Sequence, residues 1–163
     1  MKPPFERLVA EHGATVLRVA RAVVGPVDAD DVWSETFLAA LRAYPGLPAE
    51  ANVEAWLVTI AHRKAVDAVR SARLRAVPVE AVPVTGGSHP CPGVQDDGAI
   101  WSLVAALPIR QRQAIAYHYL GGMPYAQVAE LVGGSADAAR RAAADGMRTL
   151  RRLALDPEQE ELR

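Results

Sequence analysis

The sequence predicts an all-α protein made of two small helical domains joined by a flexible Pro/Gly-rich linker. Three observations support this prediction. Apolar residues recur at the 3-and-4 spacing of one helical face through residues 1–75. Residues 76–98 contain four prolines and four glycines without helical or strand period, which is typical of a tether. The helical period returns over residues 99–163, where paired glycines and a capped last helix predict a helix-turn-helix domain.

The composition is that of a folded protein. Of 163 residues, 50% are hydrophobic and 23% are charged, which excludes disorder throughout. No apolar run reaches the ~20 residues that a membrane span needs. The N-terminal MKPPFERLVAEHG is interrupted by proline and charge, so it does not resemble a signal peptide. The single cysteine, Cys91, can form no internal disulfide, and a reducing cytoplasm is the expected location.

The chain carries no pattern that indicates an enzyme or a cofactor. GxSxG, HExxH and glycine-rich phosphate loops are all absent from the sequence. The four histidines are scattered without the spacing of a metal site. We therefore expect a binding protein that has no catalytic residues, no metal and no cofactor.

The first domain is predicted to contain three helices. The first covers Phe5–Val24, and the second covers Asp28–Tyr44 with Asp28 as its N-cap. Asn52 is a plausible N-cap for a third helix that ends near Leu74. The inner face of the second helix is predicted to comprise Trp33, Phe37, Ala40, Leu41 and Tyr44.

The outer face of the second helix carries acidic side chains and an unpaired leucine. Taken alone, this pattern favours an ordinary solvated surface, because single exposed leucines are common. Its members are Asp31, Ser34, Glu35, Leu38 and Arg42.

Basic charge is concentrated in two places, although the net charge is only −1. Residues 63–75 contain five basic residues and one acid, and residues 140–152 show the same ratio. The second cluster lies on the last helix, after a short helix at Tyr125–Leu131, a turn at Gly133-Gly134 and an N-cap at Ser135. This pattern is typical of helix-turn-helix DNA binding, but alanine-rich helical hairpins without DNA affinity share it.

The order of these parts resembles the sigma-70 family of bacterial RNA polymerase sigma factors, in its extracytoplasmic-function (ECF) subfamily. DADDVWSETFLAALR is similar to the family's second conserved region, and AWLVTIAHRKAVDAVRSAR to the adjoining promoter-reading helix. ALPIRQRQAIAYHYLGGMPYAQVAELVGGS is similar to the fourth region. The resemblance covers nearly the whole chain in the family's order.

The resemblance implies core RNA polymerase, through its β and β′ subunits, and promoter DNA as partners. An anti-sigma factor is a common further partner in this family, and the sequence leaves open whether this chain has one. Core polymerase binding is implied for Asp31, Ser34, Glu35, Leu38 and Arg42. Contact with the downstream (−10) promoter element is implied for Asn52, Arg63, Lys64, Arg70 and Arg73. Contact with the upstream (−35) element is implied for Ser135, Ala136, Asp137, Ala138, Arg140 and Arg141.

The last helix departs most from the family pattern. Small residues stand at Gly134, Ala139 and Ala143, where larger aliphatic residues normally pack, and Gly146 lies inside the helix. Because an interior glycine costs ~1 kcal/mol relative to alanine, we expect this helix to be under-packed and its DNA contact to be weak. The alternative to a sigma factor is a free-standing helix-turn-helix regulator that acts without polymerase docking.

Overall fold

The computed structural model describes residues 1–75 and 98–155, and every regular element in these ranges is helical. The predicted all-α fold is therefore confirmed. The first range contains α1 (Phe5–Val24), α2 (Pro26–Ala43), a 3₁₀ turn (Tyr44–Gly46) and α3 (Val53–Leu74). The second contains α4 (Gly98–Ala105), α5 (Ile109–Ile115), a π-helical turn (Ala116–Leu120), α6 (Tyr125–Val132) and α7 (Ala136–Leu155). The predicted linker lies outside the described residues except for Gly98.

The start of α2 differs from the sequence prediction. The helix begins at Pro26, and Gly25, not Asp28, is its N-cap. Gly25 has φ 84°, a conformation that favours glycine, and proline suits the first helical position because its missing N–H has no partner there. Asp28 lies in the first turn, where the helix dipole favours its negative charge.

Helices α1, α2 and α3 pack around an apolar core. Leu8, Phe37 and Leu57 are among its buried members. The inner face predicted for α2 is wrong at one residue, because Leu41 is 51% exposed. The predicted cap of α3 is confirmed, since the Asn52 side chain accepts a hydrogen bond from the Ala55 N–H at 3.1 Å.

Helix α3 has a second buried stripe, and the sequence did not indicate that Val58 and His62 belong to it. Val58, His62 and Ala65 follow the i, i+4, i+7 spacing of one helical face, and Val58 is fully buried. The C-terminal helices cover this stripe. An added Cβ on Gly121 would lie 3.0 Å from a Val58 methyl, so the absence of a side chain there lets the two segments approach closely.

Side-chain hydrogen bonds, among them those of His62 and Arg112, join the N-terminal and C-terminal regions. His62 Nδ1 lies 2.6 Å from the hydroxyl of Tyr117, which is fully buried. Burial raises the pKa of Tyr117 and lowers the pKa of His62, so the hydroxyl donates to a neutral imidazole. Arg112 Nη1 donates to the Val23 carbonyl at the end of α1, at 3.0 Å. The two regions therefore share one continuous core.

The last helix is closely packed, contrary to the sequence prediction. Ala139, Ala143 and Gly146 are all buried along one face of α7. An added Cβ on Gly146 would lie 2.6 Å from Ile115 Cδ1 and 3.2 Å from Gln111 Cβ. Gly146 and Ala143 thus let α7 approach α5 closely, and their small size is complementary to Ile115 and Ala114 of that helix.

Candidate binding surfaces

The outer face of α2 is a mixed acidic and apolar surface. All five residues predicted there are exposed, as is the neighbouring Leu41. Leu38 and Leu41 are 52% and 51% exposed, and their i, i+3 spacing places them side by side. We call Asp31, Ser34, Glu35, Leu38, Leu41 and Arg42 the α2 surface. The sequence placed Leu41 on the inner face because the helical period alone cannot fix the width of the buried stripe.

A cleft of about 570 Å³ separates the α2 surface from α3. Four carboxylates line it, with Lys64 and Arg75 as the basic groups. Lys64 Nζ lies 3.8 Å from Glu35 Oε2. The sequence analysis grouped Lys64 with the residues that contact DNA. In the structure, however, its ammonium group lies beside Glu35 of the α2 surface.

The other basic residues of α3 lie along its exposed side. Arg63, Arg70 and Arg73 are exposed, whereas the side-chain oxygen of Asn52 is engaged in capping α3. Arg70 and Arg73 also line a groove of about 290 Å³ between α3 and the C-terminal region. Arg110 of α5 lines the same groove, and no sequence signal linked it to α3.

The N-terminus of α7 is exposed and capped as predicted. Gly133 has φ 86°, which the turn after α6 requires, and the Ser135 hydroxyl accepts a hydrogen bond from the Ala138 N–H at 3.1 Å. Asp137, Ala138, Arg140 and Arg141 are exposed, and Ala136 is half-buried. The predicted residues therefore lie together on the first turns of α7.

An aromatic cluster supports Arg140. Its guanidinium carbon lies 5.4 Å from the centre of the Tyr125 ring, within the range of a cation–π contact. Tyr125 stacks on His118 with ring centres 3.8 Å apart and an interplanar angle of 15°. His118 is in turn fixed by a hydrogen-bonding contact of 2.8 Å between its Nδ1 and the Met123 carbonyl. The sequence does not indicate this cluster, because its members come from three separate elements.

The described residues contain neither a cluster of metal ligands nor a membrane-spanning helix. No group of three or more His, Cys, Asp or Glu side chains in residues 1–75 and 98–155 is placed to hold a metal ion. In the same ranges, no helix is both long enough and apolar enough to cross a bilayer.

Comparison with family models assigns both regions. Residues 8–75 match the model of sigma-70 region 2, and residues 97–150 match the model of sigma-70 region 4. The chain belongs to the sigma-70 family. Its curated relatives include sigma factors of the ECF subfamily, to which it is similar.

Several curated relatives are similar over much of the chain. SigC of Mycobacterium tuberculosis is 31% identical over 108 residues, which span 64% of this chain and 58% of SigC. BldN of Streptomyces coelicolor is 31% identical over 170 residues, which span 93% of this chain and 61% of BldN. The chain thus matches about three fifths of the length of these two relatives.

Solved structures share the fold. CnrH, determined in complex with the cytosolic domain of CnrY, is 26% identical with a TM-score of 0.65, and the match covers 95% of this chain and 89% of CnrH. The sigma factor RpoE of Bartonella quintana, determined with the anti-sigma factor NepR, has a TM-score of 0.66 at 19% identity. That match covers 91% of this chain and 94% of RpoE, and shows the fold alone.

Proposed function

We propose that this chain binds core RNA polymerase and directs it to promoters that carry a downstream and an upstream element. It acts in the cytoplasm as a binding subunit and has no catalytic step of its own. The observation that carries the proposal is the presence of regions 2 and 4 in one chain, with every predicted contact residue exposed except the half-buried Lys64 and Ala136. Residues 1–75 would form the region 2 domain, 76–98 the linker and 99–163 the region 4 domain.

The α2 surface is the proposed polymerase-docking site. Its exposed leucine pair offers an apolar anchor, and full burial of one leucine side chain is worth ~1.5–3 kcal/mol. The surrounding Asp31, Glu35 and Arg42 supply the polar rim that typically surrounds such an anchor. An anti-sigma factor is a further proposed partner, because the similar chains CnrH and RpoE were each determined with a bound protein, in RpoE a named anti-sigma factor.

The two basic surfaces are the proposed DNA contacts. The exposed arginines of α3 would follow the downstream element, and the first turns of α7 would enter the major groove at the upstream element. These elements lie about two helical turns apart, ~70 Å at ~34–36 Å per turn. The contacts between the two regions, such as the 2.6 Å contact of His62 with Tyr117, would therefore separate when both elements are bound.

Docking is tested by titrating labelled core polymerase with variants of the α2 surface. We expect core binding to weaken at least ~10-fold in Leu38→Arg and in the double variant Asp31→Lys, Glu35→Lys. A tenfold loss corresponds to ~1.4 kcal/mol of binding free energy. Leu155→Arg is the matched control, because Leu155 is an exposed leucine at the far end of α7. Equal affinity of all these variants for core would overturn the docking assignment.

DNA reading is tested by promoter binding with and without core polymerase. Arg141→Ala is expected to weaken recognition of the upstream element and, if a phosphate contact is lost, to lower the salt slope by ~0.9. Unaltered chain is expected to bind promoter DNA specifically only together with core. Equally specific binding by the chain alone would favour the free-standing regulator.

A further inference from the structure

One line of side chains on α7 points directly away from the protein core. Ala139, Ala143 and Gly146 form the buried face. With 3.6 residues per turn, the opposite line passes through Asp137, Arg141, Ala144 and Arg148, all of which are exposed. Asp137 is the first residue on this line, so a carboxylate stands at the end of the helix proposed to enter the major groove.

The Asp137 carboxylate is held in place by its neighbours. Its Oδ1 accepts a hydrogen bond from Arg140 Nη1 at 2.6 Å, although the two side chains are 73% and 60% exposed. Arg140 in turn lies over the Tyr125 ring, which His118 supports by stacking. Because only Oδ1 takes part in the ion pair, the carboxylate keeps Oδ2 as a second acceptor. The helix dipole and Arg140 both stabilise its negative charge.

A carboxylate on the helix face that enters the major groove restricts which base can lie opposite it. It repels phosphates and the acceptor groups of the major groove, which are guanine O6 and N7, thymine O4 and adenine N7. It accepts hydrogen bonds from exocyclic amino groups, which are cytosine N4 and adenine N6. Adenine presents N7 beside its amino group, whereas cytosine presents no acceptor in that groove. Cytosine is therefore the base that suits Asp137.

We propose that Asp137 is a specificity-determining residue that selects cytosine, through its N4 amino group, at one position of the upstream element. This inference rests on the proposed entry of α7 into the major groove. Arg140 acts as a positioning residue, because its ion pair with Asp137 and its contact with Tyr125 fix the direction of the carboxylate. The competing role for Asp137 is to hold Arg140 for a phosphate contact, which would carry no base preference.

The test measures base preference across an upstream element randomised at each position, with the full chain bound to core polymerase. The unaltered chain is expected to favour cytosine at one position about tenfold, within the range of a good side-chain–base contact. Asp137→Ala is expected to abolish this preference while leaving the other positions unchanged. Asp137→Asn is expected to move the preference to adenine, because an amide can bond N6 and N7 together.

Asp145→Ala is the matched control. Asp145 pairs with Arg148 three residues on, at 3.1 Å, so its replacement removes the same charge and the same kind of ion pair from the same helix. Asp145 lies away from the outward line and two turns further along α7. Its removal is expected to raise affinity for all sequences alike and to leave the base preferences unchanged.

The outcomes separate this inference from the proposed function. If Asp137→Ala changes binding equally for all sequences, the inference is overturned. The proposed function still stands in that case, provided that Arg141→Ala weakens dependence on the upstream element. If neither variant alters that dependence, α7 does not read DNA, and this inference fails together with the upstream-element part of the proposed function, while core docking is judged by its own test.

Discussion

The contact between the two regions can be tested at Gly121. Replacement by alanine adds a Cβ that lies 2.9 Å from the Tyr117 carbonyl oxygen and 3.0 and 3.3 Å from the two methyls of Val58. Gly121 has φ −91°, which alanine adopts freely, so the substitution acts through packing and not through backbone strain.

The expected effect is a loss of stability. Overpacking of a buried site costs ~1–3 kcal/mol. Alanine also restricts the unfolded chain, which by itself raises the free energy of unfolding by ~0.4–1 kcal/mol. The free energy of unfolding of Gly121→Ala should therefore fall by about 1–2 kcal/mol, measured by urea denaturation. Gly46→Ala is the matched control, because no atom lies within 4 Å of its added Cβ, and this variant should be neutral or slightly stabilised.

A double variant tests the inter-region part of the clash. Val58→Ala alone should cost ~2 kcal/mol, since it removes two buried methyl groups. In the presence of Gly121→Ala it also removes the two methyl contacts, so the double variant should be ~1 kcal/mol more stable than the sum of the single effects predicts. Strict additivity would show that Val58 and Gly121 do not touch in solution, which would refute the closed packing of the two regions.

Four other substitutions test the packing of the two regions, the packing of α7 and the cap of α3. Tyr117→Phe removes the hydrogen bond to His62 and should cost ~1–2 kcal/mol at pH 7.5 by denaturant titration. Burial lowers the pKa of His62, so below pH ~6.5 the unfolded chain binds more protons than the folded chain. The free energy of unfolding should therefore be highest above that pH and fall as the pH drops through it. His62→Gln should reduce this pH dependence. Gly146→Ala should lose ~1 kcal/mol, because the clash with Ile115 outweighs the ~1 kcal/mol gain in helix propensity; a more stable variant would mean that α7 is loosely packed. Asn52→Ala should cost ~1 kcal/mol in thermal melts through loss of the α3 cap, and an unchanged melting temperature would contradict that role.

The sequence by itself predicted the helical class, nearly all of the helices and most of the exposed candidate residues. Helical periodicity marks the inner face of each amphipathic helix, and Asn52 and Ser135 mark two helix starts because their side chains cap the first turn in the structure. The five polar and apolar residues of the outer face of α2 were predicted for the same reason, since whatever is not on the inner stripe faces solvent. The remaining error in α2, at Leu41, arose at the edge of the stripe.

The tertiary structure determines which further faces of the helices are buried and which neighbouring residues bury them. Val58 and His62 lie on a stripe of α3 that becomes buried only because the C-terminal region packs on it, and periodicity within one helix cannot reveal a second partner. Gly146 was predicted to weaken the packing of an alanine-rich helix. In the structure, Ile115 packs against the helix at this position because Gly146 has no side chain. The support of Asp137 and Arg140 by Tyr125 and His118 likewise joins residues of separate elements. Local sequence sets the shape of each helix, but the size a side chain can have, and the groups it can bond, depend on neighbours that only the folded chain brings together.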